Sequence, residues 1–167
     1  MIPNNGANFT NKAQEAIMSA QALAQDRGQQ QIDALHLLFV LLNQEGSVVL
    51  TVLQKSGVDV DALQKKTEAQ LSRISTLLTP TTFGQFYLTQ DMAKVLDKAR
   101  QESLKMGDEF ISVEHLFLAL LDVKSLARDV LGKLDYEAVS KELAQIRGGQ
   151  RITDPEPESK LPAHVGA

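Results

Sequence analysis

Ile32-Asp33-Ala34-Leu35-His36-Leu37-Leu38-Phe39-Val40-Leu41-Leu42 is apolar on nearly every side of a helix except at one histidine, and it returns 79 positions later as Ile111-Ser112-Val113-Glu114-His115-Leu116-Phe117-Leu118-Ala119-Leu120-Leu121. A helix that is hydrophobic all round belongs inside a domain rather than on its surface. Two such helices place a central pair in the core, related by a pseudo-twofold. The same offset also superimposes Thr10 on Thr89, Ala20 on Ala99 and Gly28 on Gly107, with no gap from Thr10 onward. The chain is a duplicated module.

Working outward, Ala13, Ala16, Ile17, Ala20, Leu23 and Ala24 follow i, i+3, i+4, i+7 spacing, which puts them on one face of a helix from about Thr10 to Asp26. Thr10 is its natural N-cap, and Gly28 supplies the backbone freedom that ends it. Met92, Val95, Leu96 and Ala99, with Gly107 behind them, repeat the arrangement. Asp33 and Ser112 cap the two central helices. Shorter helices follow at 48–55 and 59–74 in the first module and at 126–133 and 136–146 in the second. The spacing therefore predicts an all-α fold of two tandem, pseudo-twofold-related four-helix repeats forming one domain. Residues 1–8 read as a flexible amino terminus, 9–75 as the first repeat, 76–88 as a linker, 89–147 as the second repeat and 148–167 as a flexible tail. Gly148-Gly149 and Asp154-Pro155-Glu156-Pro157-Glu158 break helices and bury little.

Composition removes several function classes. A domain near 150 residues buries roughly 70% of the surface its unfolded chain exposes, so 167 residues hold a real core. The net charge is −4 and neither half is basic, which argues against a phosphate-backbone partner. There is no cysteine, so disulfides and thiolate metal sites are out, and the cytoplasm is the expected compartment. The polar start carries no secretory signal, and the longest apolar run is far shorter than the about 20 residues a membrane helix needs. Neither a nucleic-acid nor a membrane role is expected.

Chemistry is similarly constrained. The one Gly-Lys, Gly132-Lys133, is followed by Leu134 and preceded by no glycine at phosphate-loop spacing, so no nucleotide hydrolysis is expected from this chain. His36, His115 and His164 show no metal-ligand spacing, and the first two are read as structural, each bonded to nearby backbone in an apolar helix. Glu114 beside His115 lacks a nucleophile or an oxyanion turn, so no catalytic residue is assigned. Phe83, Phe86, Tyr87 and Phe110 lie in or next to connecting segments, where a shallow apolar groove would suit an extended polypeptide.

Three stretches carry a family resemblance: Phe9-Thr10-Asn11-Lys12-Ala13-Gln14-Glu15-Ala16, His36-Leu37-Leu38-Phe39-Val40-Leu41-Leu42 and Gly107-Asp108-Glu109-Phe110-Ile111-Ser112-Val113-Glu114-His115-Leu116. With them, residues 9–147 resemble the Clp amino-terminal domain family, and more narrowly its ClpB-type disaggregase branch. The resemblance implies a mobile helical domain that captures unfolded or aggregated polypeptide and passes it to a hexameric AAA+ ATPase, whose ATP and magnesium belong to other domains. It implies a polar substrate patch at Thr10, Asp108 and Glu114, next to an apolar groove where Phe83 and Phe110 would contribute. Each polar residue also has a plain structural duty: Thr10 as a cap, Asp108 as a solvated turn residue and Glu114 as a first-turn carboxylate. Protease-linked relatives read phosphoarginine through a glutamate before the histidine in both modules. Here Leu35 takes that place in the first module, so a symmetric reader of that kind is not expected. Docking of a folded adaptor or co-chaperone, or a free-standing role, is the alternative.

Overall fold

The computed structural model describes residues 8–74, 87–153 and 155. Among these residues are eight helices and one short sheet. The order is α1 (Asn11–Asp26), β1 (Gln31–Ile32), α2 (Ala34–Leu41), α3 (Val48–Lys55), α4 (Val60–Leu71), β2 (Tyr87–Leu88), α5 (Gln90–Lys105), α6 (Val113–Asp122), α7 (Leu126–Leu131) and α8 (Tyr136–Arg147). The helices start on Thr10, Asp33, Ser47, Asp59, Thr89, Ser112, Ser125 and Asp135, residue types whose short side chains satisfy the free amides of a first turn. Helix punctuation in this chain is thus almost wholly local.

Helices α2 and α6 are the buried pair expected from their sequences. Leu35, Leu37, Leu38 and Leu41 of α2 and Leu116, Leu118 and Leu120 of α6 are buried in one continuous core. Each such side chain contributes about 1.5–3 kcal/mol by leaving water. The repeats are not two bundles side by side. The third helix of each crosses over: α3 packs on α6 and α8, and α7 packs on α2 and α4. Neither repeat can close its own apolar surface without the other.

The backbone pairing shows the pseudo-twofold directly. Strands β1 and β2 run parallel, pairing Ile32 with Leu88, and an isolated parallel bridge pairs Ile111 with Phe9. Moving Ile32 forward and Leu88 back by the 79-residue repeat gives Ile111 and Phe9. The approach to each central helix is therefore pinned by the approach to the other module's first helix. The inter-repeat stretch 75–86 lies outside the described residues, and with it Phe83 and Phe86. Positions 87 and 88, assigned to the linker from sequence, are β2.

The carboxyl-terminal stretch departs from its sequence reading. Residues 148–153 and Pro155 do not trail away from α8 but run back across the second module. The Glu109 amide donates to the Ile152 carbonyl (2.7 Å), the Asn11 amide to the Pro155 carbonyl (2.7 Å), and the Ile152 amide to Asp108 Oδ1 (2.8 Å). Composition predicts a linker because only one aliphatic residue is present in the segment. That residue, Ile152, is 2% exposed and anchors it.

Candidate functional site

The site begins with the two histidines, because each organises the turn before its helix. The Asp33 amide donates to His36 Nδ1 (2.9 Å) and the Ser112 amide to His115 Nδ1 (2.8 Å). With Nδ1 accepting, the ring proton of each neutral imidazole sits on Nε2. His36 gives it to Gln29 Oε1 (2.7 Å), and His115 gives it to Asp108 Oδ2 (2.7 Å). Both rings are fully buried, and the structural reading of the pair matches this geometry.

Beyond the histidines the modules differ. Gln29 Nε2 donates to the carbonyls of Leu71 (3.0 Å) and Ile74 (3.3 Å), closing the end of α4 with neutral groups. Asp108 instead receives the guanidinium of Arg147, from the last turn of α8, through Nη2 to Oδ2 (2.7 Å) and Nη1 to Oδ1 (3.1 Å). Arg147 Nε and Nη2 also bond Glu114 Oε1. Burial opposes ionisation of Asp108, but the bonds from His115, Arg147 and the Ile152 amide outweigh it and hold the carboxyl below its usual range. Burial likewise opposes the charge on Arg147, and the two carboxylates reverse that and push its pKa up.

This geometry corrects one sequence reading. Asp108 is not a solvated turn residue: it is 6% exposed, and Glu114 is 1% exposed. Thr10 is fully buried, its hydroxyl accepting from the Ala13 amide (3.1 Å) as the cap of α1. The three polar residues named from sequence therefore lie beneath the surface. Their side chains hold the start of α1, the turn at 107–111 and the first turn of α6. Phe110 is half-buried on that turn.

Asp108, Glu114 and His115 each place a potential ligand atom within 4.8 Å of the others, a grouping not visible in their linear spacing. The cation among them is Arg147, which engages both oxygens of Asp108 and Oε1 of Glu114. Glu114 Oε2 remains buried without a hydrogen-bond partner. Sequence reasoning missed Arg147 altogether. A basic residue in a last helical turn reads as a solvated dipole partner, and no local signal distinguishes a buried one.

A second feature lies in the first module. An open cleft of about 540 Å³ runs between α1 and the end of α2. Leu23, Phe39 and Val40, all half-buried, form its apolar lining, and Glu15, Asp26 and Glu45 stand against Lys12 at its edge. Gln44 Nε2 bonds the Lys12 carbonyl (3.3 Å) and closes one end. Met18, 68% exposed, lies one turn before Ala22 of the lining. No helix among the described residues is long and apolar enough to cross a membrane.

Likeness to known proteins agrees with this architecture. Residues 8–134 match the Clp repeat (R) N-terminal domain. The chain is 33% identical to the chaperone protein ClpB of Bacillus cereus over 158 residues, covering 93% of this chain but 18% of the relative's length. In structure it resembles the Hsp104 N-terminal domain from Candida albicans, with a TM-score of 0.80 at 20% identity over 90% of this chain and 99% of that one. It also resembles the ClpV N-domain in a complex with VipB peptide, with a TM-score of 0.60 at 18% identity over 87% of this chain and 91% of that one. With its duplicated helices, its crossed-over repeats and this match across most of its length, the chain belongs to the Clp repeat N-terminal domain family.

Proposed function

We propose that this domain captures exposed segments of unfolded or aggregated polypeptide for a ClpB-type ATPase, which would act on them elsewhere in the full protein. The open cleft between α1 and α2 carries this reading. Its apolar lining meets aliphatic or aromatic side chains that a folded client would bury, and its three carboxylates against one lysine favour segments that also carry lysine or arginine. Weak binding suffices. A dissociation constant near about 1 mM is only about −4.1 kcal/mol, and copies arrayed on a hexamer would raise the effective concentration of client.

Thr10, Asp108 and Glu114 act in this reading by fixing the start of α1, the turn at 107–111 and the first turn of α6 rather than by touching a client, because their side chains are buried. Phe110, half-buried, and Tyr87, 56% exposed, are sequence-named residues with surface left to offer. The test is titration of the chain with a labelled, permanently unfolded polypeptide. Leu23→Asp and Phe39→Ala are each expected to weaken binding roughly tenfold, the effect of about 1.4 kcal/mol. Unchanged affinity in both folded variants would remove the cleft from the account.

Adaptor docking is the second reading, and the ClpV N-domain complex with VipB peptide favours it, since a similar fold there holds a defined peptide. Saturable one-to-one binding of a folded partner, undiminished by excess unfolded polypeptide, would favour docking over capture.

A further inference from the structure

Ile152 is held through both of its main-chain polar groups: its carbonyl accepts from the Glu109 amide (2.7 Å) and its amide donates to the side-chain oxygen Asp108 Oδ1 (2.8 Å). Its side chain is buried, yet it stands apart from the continuous core formed by the helices. On either side the segment is exposed at Arg151, Thr153 and Pro155. Arg151 lies across Gly107, where a β-carbon would sit 3.4 Å from its Nε. The Pro155 carbonyl accepts from the Asn11 amide in the first turn of α1 (2.7 Å). The turn at 107–111 and the start of α1 thus hold a short peptide by its main-chain groups and one buried aliphatic side chain.

That mode of holding depends little on sequence. Main-chain bonds give the affinity and one pocket gives a mild preference, as in strand addition to an exposed edge. Few bonds and one buried side chain fasten the segment, so its opening lies at the low end of the free energies in this fold. From this we infer that residues 151–153 and Pro155 occupy, in cis, a seat for a polypeptide segment centred on an aliphatic residue. The segment is a strap that competes with clients for the seat. The inference rests on the polypeptide-binding reading above but uses a different surface from the α1–α2 cleft. Apparent affinity at the seat is the intrinsic affinity reduced by the fraction of molecules with the strap open.

The test uses the whole chain and a labelled peptide with the sequence of residues 149–156, Gly-Gln-Arg-Ile-Thr-Asp-Pro-Glu. Ile152→Ala loosens the strap and is expected to bind this peptide at least about tenfold more tightly than the parent chain. A peptide carrying Asp in place of the isoleucine should fail to bind. Arg151→Ala, at an exposed position that leaves folding intact, should shift affinity the same way by a smaller factor. It should also speed hydrogen exchange at the Glu109 and Asn11 amides, while the Thr10 amide, bonded to the Ile111 carbonyl, stays protected. Equal peptide affinity in parent and folded Ile152→Ala would overturn the inference. If Ile152→Ala does not fold, Arg151→Ala decides: exchange at Glu109 and Asn11 no faster than in the parent would overturn it equally. A parallel titration with the unfolded polypeptide separates the two claims. Binding there that is unaffected by loosening the strap leaves capture standing and removes the strap. Peptide binding to Ile152→Ala without any binding of the unfolded polypeptide keeps the seat and removes capture.

Discussion

In the first module the groove between α1 and α2 is open, with Leu23, Phe39 and Val40 half-buried along it. The equivalent positions in the second module are Glu102, Leu118 and Ala119, and all three are buried. There Tyr136 of α8 donates its hydroxyl to Glu102 Oε1 (2.7 Å), and Lys98 bonds Asp122 (3.0 Å) and approaches Glu102. Among the described residues, these positions are covered in one half of a symmetric scaffold and line a cleft in the other. The histidine turns differ in the same spirit: neutral around Gln29, charged and tied to the carboxyl-terminal segment around Asp108. Symmetry accounts for the fold, and each departure from it accounts for a surface or a tether.

The sharpest way to break this comparison is at the two ties. Arg147→Met leaves Asp108 and Glu114 buried with no cation, and removing one partner from such a group costs about 3–5 kcal/mol. Gln29→Leu deprives His36 of its acceptor and two carbonyls of a donor without stranding a charge, for about 1–3 kcal/mol. Denaturant unfolding of both variants checks the order, and an equal or reversed pair of losses would mean the charged tie is not the stronger constraint.

Thr10→Ala removes the α1 cap beside the strap, and a loss of about 1 kcal/mol is expected in the same measurement. The smallest effect is set by pH. Burial pushes the His36 pKa below its ordinary value, against the raising influence of Asp33. The unfolded chain then binds the proton more readily than the folded one, so stability is full above the unfolded value near about 6.5 and declines as pH falls towards the folded one. Thermal unfolding between pH 7.5 and pH 5.5 is expected to show this decline in the parent and to show less of it in His36→Gln. The Asp108 carboxyl, held low, adds a loss only below the usual carboxylate range.

What was legible in the sequence follows from which interactions are local. Helix starts were, because a Thr, Ser or Asp cap acts within three residues, as Thr10 does on Ala13. The buried α2 and α6 were, because seven apolar residues around each helix leave little solvent face. The crossing of α3 and α7 between repeats was not, since apolar periodicity shows that a face is buried but not what buries it. Arg147 and Ile152 were equally hidden. Their partners lie 39 and 44 positions away at Asp108, and a lone arginine or isoleucine near Gly148-Gly149 carries no sign of that distance.

The claim that the open half of the scaffold meets clients is tested most directly by following backbone amide resonances while the chain is titrated with a permanently unfolded polypeptide. The account predicts shifts at Leu23, Phe39 and Val40, joined by Glu109 when the strap is loosened, with Glu102, Leu118 and Ala119 unmoved. Shifts of equal size at the two equivalent sets, or at neither, would contradict it.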